Sequence, residues 1–294
     1  MARVIESEIR TLSAGLYLVA TPIGNLGDMG LRAVETLRSV GLIACEDTRV
    51  TAKLCQAFDI TTRRIRFDSH QPPEARARLL DQIAAGLAVA LVSDAGSPLV
   101  SDPGQELVSE AIARGIKTEV IPGASAVMAA LIGSGLPVQP FAFFGFPDRH
   151  RPTRLAQFTE VKDFNGTLVY FESPHRASAS LFEMAEVMGD RQAVVARELT
   201  KIYEEYRRGT LRELAAQIDS GTPLKGECVI VIAPPILVTK KYTEAEIDGL
   251  ILRGLTTMSL RDTVQTLADA TGLPRRSLFT RALELQEGRP ANED

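Results

Sequence analysis

The stretch SDAGSPLVSDPG (93–104) follows directly on the apolar run LAVALV (87–92) and leads straight into an amphipathic segment. A buried strand that runs into a loop of Gly, Ser, Asp and Pro and then into a helix is the local pattern at which α/β proteins place ligands. Gly96 and Gly104 let the backbone come close to a bound group, and Pro98 and Pro103 stiffen the loop. Asp94 and Asp102 add carboxylates beside exposed backbone N–H groups.

The same alternation extends in both directions. GLYLVA (15–20), GLIACE (41–46), RIRF (64–67) and KTEVI (117–121) read as further strands, with helical periodicity over 31–40, 48–58, 73–85, 104–114 and 123–132. Strands alternating with helices predict a mostly parallel, helix-covered sheet. GSGLPVQP (133–140) then concentrates Gly and Pro and reads as a linker. Beyond it FAFFGF (141–146), GTLVYFE (166–172), AVVARE (193–198) and ECVIVIA (227–233) read as strands, with helices near 152–160 and 174–187. From Tyr242 the strands stop and helical periods follow near 243–253, 259–271 and 275–286. The expected organisation is an α/β domain over 15–134, a second over 141–235, and a small helical module over 242–294.

The chain has 294 residues, 45% hydrophobic and 24% charged, which suffices for two compact cores. Cys45, Cys55 and Cys228 are too few for a disulfide framework, and with three His they form no metal-binding spacing, so no metal is expected and a reducing cytoplasm is the expected location. No apolar run approaches the ~20 residues needed to span a bilayer, so no membrane association is expected. The net charge of −4 removes any whole-surface attraction for nucleic acid and leaves it to local clusters. Arg149, Arg151 and Arg154 around His150 form one cluster, and Arg275, Arg276 and Arg281 form another. The second lies after Thr271-Gly272-Leu273-Pro274, a turn between two helical periods with helix-turn-helix-like spacing.

ATPIGNLGD (20–28), CEDTR (45–49), FDSHQPP (67–73), SDAGSPLVSDPG and IPGASAVMAAL (121–131) each follow a strand. In a parallel sheet they gather at the carboxyl edge and describe a cleft. Neither GxGxxG nor GxxxxGK[ST] occurs, so neither a dinucleotide fingerprint nor a P-loop is indicated.

In this order and spacing, ATPIGNLGD, CEDTR, SDAGSPLVSDPG, PGASA and FESPHR resemble the tetrapyrrole-methylase superfamily of S-adenosylmethionine-dependent methyltransferases. Within it they are similar to the branch that methylates the ribose 2′-hydroxyl of a cytidine in the decoding region of small-subunit (16S) ribosomal RNA. TPIGNLGD stands where corrin-type relatives show a PGDP-like sequence, and the resemblance covers about residues 15–235 and the helical tail. It implies a two-domain α/β fold with S-adenosylmethionine in the cleft between the domains, a small C-terminal helical module, a homodimer, and ribosomal RNA or the 30S particle as partner. By motif, Pro22, Ile23, Gly24, Asp94, Ala95, Gly96, Leu99, Ser125 and Ala126 would contact the cofactor, with Glu172 and Leu199 from the second domain.

Methyl transfer discharges a sulfonium, so an anion against the sulfur would favour the ground state over the transition state. Asp94 is therefore expected at the cofactor's ribose or amino group. A ribose hydroxyl needs a proton acceptor or close in-line alignment. The candidate groups are Glu46, Asp47 and Arg49 in CEDTR, His70 in FDSH, and Arg197, Glu198, Lys201 and Glu204 in ARELTKIYEE: Arg49 and Lys201 suit phosphate contacts, and Asp47 or Glu198 suits proton acceptance. If 197–204 is helical, Arg197, Lys201 and Glu204 share one face. Arg151, Arg154, Arg275, Arg276 and Arg281 are the candidates for RNA binding. The competing readings are a tetrapyrrole C-methyltransferase of the same fold and a cofactor-sensing RNA-binding protein without turnover.

Overall fold

The computed structural model describes residues 12–68, 71–221, 224, 226–235 and 242–287. They form two compact units, one ending at Pro235 and one within 242–287.

The first unit opens with five parallel strands, β1 (Gly15–Val19), β2 (Leu42–Cys45), β3 (Arg64–Arg66), β4 (Ala88–Val92) and β5 (Thr118–Ile121), in the order β3-β2-β4-β1-β5. Four helices connect them: α1 (Leu31–Ser39), α2 (Thr48–Ala57), α3 (Pro73–Ala84) and α4 (Gln105–Ala113). The strands carry apolar residues on both faces, as a doubly covered sheet requires. Tyr17, Val19, Ala90 and Val92 pack under α1 and α2, whereas Leu16, Leu18, Val89 and Leu91 pack under α3 and α4. The chain therefore leaves the neighbouring strands β1 and β4 toward opposite faces. The gap between their carboxyl ends is the topological switch point, where such sheets bind ligands.

The second sheet holds β6 (Phe141–Phe143), β7 (Thr167–Glu172), β8 (Gln192–Arg197), β9 (Glu205–Thr210) and β10 (Cys228–Ile232), in the order β6-β7-β10-β8-β9. Only β6 and β7 pair in parallel; the other three pairs are antiparallel, so the parallel pattern stops at the first sheet. One face is covered by α6 (Arg151–Val161), α7 (Ala177–Met188) and α8 (Leu211–Ser220), through Phe158, Leu181, Met184, Leu211 and Leu214.

The other face is covered by α5 (Ala126–Ser134), the helix that leaves the first sheet after β5. Val127, Ala130 and Leu131 of α5 share a buried cluster with Ile23 and with Val169, Val194, Val229 and Val231 of the second sheet. One helix thus joins the two sheets. Its carboxyl end is tied down by β9: the Tyr206 hydroxyl donates to the Ala129 carbonyl (3.1 Å), and the Arg208 guanidinium donates to the Gly133 (2.6 Å) and Ser134 (3.1 Å) carbonyls. A cation on otherwise unpaired terminal carbonyls complements the helix dipole.

Residues 198–204 are not helical. β8 ends at Arg197 and a loop runs to β9, with Glu198 and Thr200 at φ of 49° and 64°. The pairing of β8 with β9, from Gln192↔Thr210 to Arg197↔Glu205, overrides the helix-compatible spacing of the charges.

The second unit packs α9 (Glu244–Gly254), α10 (Leu260–Thr271) and α11 (Arg275–Glu287) around Ile251, Val264, Leu278 and Ala282. Thr243 and Glu246 form a capping box, Ser259 caps α10, and Gly272 ends α10 in the left-handed conformation. No helix among the described residues is long and apolar enough to cross a membrane.

A Cβ at Gly133 would sit 2.4 Å from the Tyr206 ring. Gly133→Ala is expected to destabilise the protein by about 1–3 kcal/mol in urea unfolding, although alanine is the better helix former by about 1 kcal/mol. The penalty should shrink in a Tyr206→Ala background; an equal penalty in both backgrounds would refute the contact.

Candidate functional site

At the switch point the loops after β1 and β4 are joined by a two-hydrogen-bond bridge. The Thr21 N–H donates to the Gly96 carbonyl (2.8 Å) and the Gly96 N–H to the Thr21 carbonyl (3.1 Å). Gly96 has φ of 77°, and a Cβ there would meet Ile23 Cγ2 at 3.2 Å, so both conformation and space call for glycine.

Below this bridge lies a cavity of about 340 Å³, within the range of small-ligand sites. The first half of the unit contributes Ile23, Asp94, Ala95, Gly96, Ser97, Val100, Ser101, Asp102, Ser125, Ala126 and Val127. The second contributes Phe146, Phe171, Glu172, Ser173, Pro174, Leu199, Gly226, Glu227, Cys228 and Val229. Four carboxylates, Asp94, Asp102, Glu172 and Glu227, face the space, and among the described lining residues there is no Lys, Arg or His. Such a lining favours a cationic ligand and disfavours phosphate.

Each carboxylate is held differently. Asp94 Oδ1 accepts the Asp47 N–H (3.1 Å), which draws the 45–49 loop to the cavity wall. The Glu172 side chain is wholly buried, with Oε1 accepting from the Ser173 N–H (2.8 Å) and Oε2 from the Ser180 hydroxyl (2.5 Å). Glu227 stands 3.9 Å from Lys201 Nζ. Burial, reinforced by the nearby charges of Glu46, Asp94 and Glu227, pushes the Asp102 carboxyl up to about 6, against a smaller lowering by the Ser93 side chain. Behind the wall, burial pushes the Cys228 thiol up to about 12, which makes it an inert neutral group there.

Ser125 caps α5, its hydroxyl accepting the Met128 N–H (3.4 Å), so the free N–H groups of that helix start open onto the cavity beside Ser125 and Ala126. The structure gathers Ile23, Asp94, Ala95, Gly96, Ser125, Ala126, Glu172 and Leu199 of the expected cofactor residues at one wall or another. Three others stand outside the lining. Leu99, at φ of 74°, turns into the apolar core beside Leu91 and Gly104, and Val100 takes the lining position. Pro22 lies beside Ile23, and Gly24 packs beneath residues 199–201: a Cβ there would fall 2.6 Å from Lys201 Cγ.

Of the expected acceptor groups, Asp47 caps α2 and pairs with Arg49 (2.6 Å). Hydrogen bonds from the Arg49 side chain and backbone hold the Asp47 carboxyl far below the usual range, which makes it a weak base. Arg49 is 87% exposed, and Glu198 is engaged by Lys201 Nζ (2.9 Å). His70 lies outside the described residues.

The arginine clusters divide. Arg151, Arg275 and Arg276 are exposed. Arg154 is 7% exposed, donates through Nε (2.6 Å) and Nη2 (2.9 Å) to Glu183, and donates through Nη1 to the Asp148 and Arg149 carbonyls. It therefore serves the fold and is not presented to a phosphate. Arg281 holds Asp248 through two 2.7 Å bonds, clamping α11 to α9. Asp102, Phe146 and Glu227 are lining residues that motif reasoning did not single out. Phe146 and Glu227 sit at strand ends whose loop-edge position depends on the second sheet's pairing, while Asp102 stood in the quoted loop without a role.

A doubly wound sheet and a mixed sheet sharing an acidic cleft define a class. Residues 15–215 match the Tetrapyrrole (Corrin/Porphyrin) Methylases, and residues 243–286 match the RsmI C-terminal HTH domain. Among solved structures, a diphthine synthase aligns with TM-score 0.59 at 21% identity, covering 74% of this chain and 89% of that one. The cobalt precorrin-4 methyltransferase CbiF aligns with TM-score 0.56 at 17% identity, covering 74% and 94%. The "Ribosomal RNA small subunit methyltransferase I" of Mesorhizobium japonicum is 44% identical over 283 residues, 96% of each chain. That of Micromonospora olivasterospora is 41% identical over 271 residues, 91% of this chain and 86% of the relative. This chain belongs to the tetrapyrrole methylases and, within them, to the ribosomal RNA small subunit methyltransferase I family of enzymes.

Burial pushes the Glu183 carboxyl up, but the hydrogen bonds and charges of Arg154 and Arg151 outweigh it and hold the group below its ordinary value. Arg154→Ala should cost up to about 3 kcal/mol, because it leaves Glu183 buried with only the exposed Arg151 as a partner. The folded-state value lies below the unfolded one, so the pair's contribution is present above the unfolded carboxyl pKa and is lost as the pH falls through the folded one. Denaturation of wild type and variant from pH 7 to pH 3 checks this: the gap should close toward acid, and a pH-independent gap would refute the assignment.

Proposed function

We propose that this chain uses S-adenosylmethionine to methylate the ribose 2′-hydroxyl of a cytidine in the decoding region of small-subunit ribosomal RNA. The observation that carries this reading is the acidic, cation-free lining of the cleft. A cationic donor suits an acidic lining whose carboxylates meet its ribose and amino groups and stay clear of the sulfur, whereas the phosphodiester backbone of RNA is turned away from them and stays at the rim. S-adenosylmethionine, when bound, supplies an electrophilic methyl group.

In this reading Asp94 accepts hydrogen bonds from the donor's ribose or amino group, and the N–H groups at the start of α5 receive its polar end. Ile23, Ala95, Leu199 and Phe171 exclude water and hold the nucleoside portion, and Glu172 fixes the polar floor. Lys201 and Arg49 offer charge to the RNA backbone, and the helical module with Arg275 and Arg276 adds RNA affinity. The acceptor is the ribosomal RNA or the 30S particle, the site of action is the cytoplasm, and the active species is a homodimer. Exposed Val120 on the edge strand β5, with exposed Met128 and Ile132 on α5, supports self-association.

The direct test is incubation with labelled S-adenosylmethionine and 30S particles lacking the modification, followed by mapping of the methylated nucleotide. Transfer to a uroporphyrinogen-like acceptor but not to RNA would overturn the reading. Asp94→Ala should weaken cofactor binding by about 10–100-fold in calorimetry, the loss expected for a hydrogen bond to a charged group; normal affinity with dead chemistry would refute its role. Removal of residues 242–294 should weaken transfer to RNA and leave cofactor affinity unchanged.

A further inference from the structure

We propose that Asp102 is the proton acceptor for the substrate hydroxyl, an inference that rests on the methyl-transfer reading above. Its geometry distinguishes it from the other carboxylates of the lining and from Asp47 and Glu198, and Glu46, which faces it, lies outside the lining. Asp47, Glu198 and Glu172 are each paired with a cation, Glu172 also accepting from Ser173 and Ser180, while Glu227 faces Lys201 and Asp94 holds the Asp47 N–H. Asp102 lines the cavity and has no ion-pair partner among the described residues.

Its place in the cleft is also the place for an acceptor. Asp102 follows Ser101, which stands at φ of 67°, and a Cβ on Gly145 would lie 3.2 Å from Ser101 Oγ. There the two halves of the unit approach each other, and the same cavity is lined by Phe146, an aromatic ring 56% exposed that packs on Phe171 at 5.4 Å. An exposed ring and an unpaired carboxylate in one cavity suit a splayed-out base and its ribose.

Burial, reinforced by the facing carboxylates of Glu46, Asp94 and Glu227 and opposed by the Ser93 side chain, raises the Asp102 carboxyl to about 6. A base in that range is ionised at pH 7 and still strong enough to take a proton as the transition state forms. In the step, the O2′–H proton passes to an Asp102 carboxylate oxygen as the O2′–methyl bond forms. The sulfur–methyl bond breaks with its electron pair left on sulfur, and the neutral acid then returns its proton to water.

Asp102→Asn should lower single-turnover transfer to 30S RNA by about 10²–10⁴-fold. Affinity for RNA should be unchanged, affinity for S-adenosylmethionine should fall by far less than the rate, and Asp102→Glu should recover part of the rate. Wild type should lose rate below about pH 6, in line with the raised carboxyl, and the residual rate of Asp102→Asn should lack that limb. Stability gives a readout independent of turnover. A carboxyl raised in the fold disfavours folding once it ionises, so Asp102→Asn should melt higher than wild type above pH 6, with the gap closing below the unfolded carboxyl pKa. A wild-type rate in Asp102→Asn, a parallel loss of cofactor affinity, or a lower melting temperature at every pH would overturn the assignment and make Asp102 structural. If wild type fails to methylate RNA, the functional reading falls first, and the assignment falls with it because no hydroxyl remains to be served.

Discussion

The cleft depends on the buried stripe of α5. That helix leaves the first sheet after β5 and buries Val127, Ala130 and Leu131 against Val169, Val194, Val229 and Val231 of the second. Ile23, from the loop after β1, enters the same cluster. The two walls of the cavity are therefore fastened by one hydrophobic contact that lies directly beneath the ligand space. Fully burying each such side chain contributes about 1.5–3 kcal/mol, so the association of the sheets needs no further cross-link. The cavity follows from what this contact leaves open: the switch point faces the start of α5, where backbone N–H groups are unpaired.

The charge of the cleft and the charge of its proposed acceptor are of the same sign. Carboxylates line the interior, while Arg49 and the exposed arginines lie outside the lining. This arrangement sorts an RNA substrate: its phosphates stay with cations at the surface, and a neutral nucleoside is the portion that enters a negatively charged space without a Coulombic penalty. It also explains why the net charge of −4 is compatible with an RNA-directed reading. Attraction is local, and it will be screened over about 8 Å at physiological salt.

Much of this was legible in the sequence. Continuous apolar runs and a period of 3.6 located the strands of the first sheet and the three tail helices, and the motifs shared with the family named eight residues that line the cavity. What stayed illegible was long-range. Arg154 read as an exposed cation because its partner, Glu183, lies 29 residues away on another helix. Residues 197–204 have charges at helical spacing, yet β8 and β9 pair across them and leave Glu198 and Thr200 in the left-handed region. Leu99 belongs to the right loop, but its backbone conformation turns it into the core. In each case tertiary pairing decided between local options that the sequence left close in energy.

Those conformations point to a functional constraint. Of the five non-glycine residues with positive φ among the described residues, four stand in loops beside the cleft: Leu99 and Ser101 in the loop after β4, Glu198 and Thr200 in the loop after β8. Each costs of order 1 kcal/mol or more relative to a relaxed backbone, and such residues persist only where surrounding structure dictates them. Here the surroundings are identifiable. Gly104 makes room for Leu99, Gly145 admits Ser101, and a Cβ on Gly226 would run into the Glu198 side chain. Strained residues facing permissive glycines in both loops allow two loops from different sheets to close on one space, and they set Asp102 in its lining. Stability has been given up at the positions where the shape of the cleft is determined, and the core around α5 is what offsets that loss.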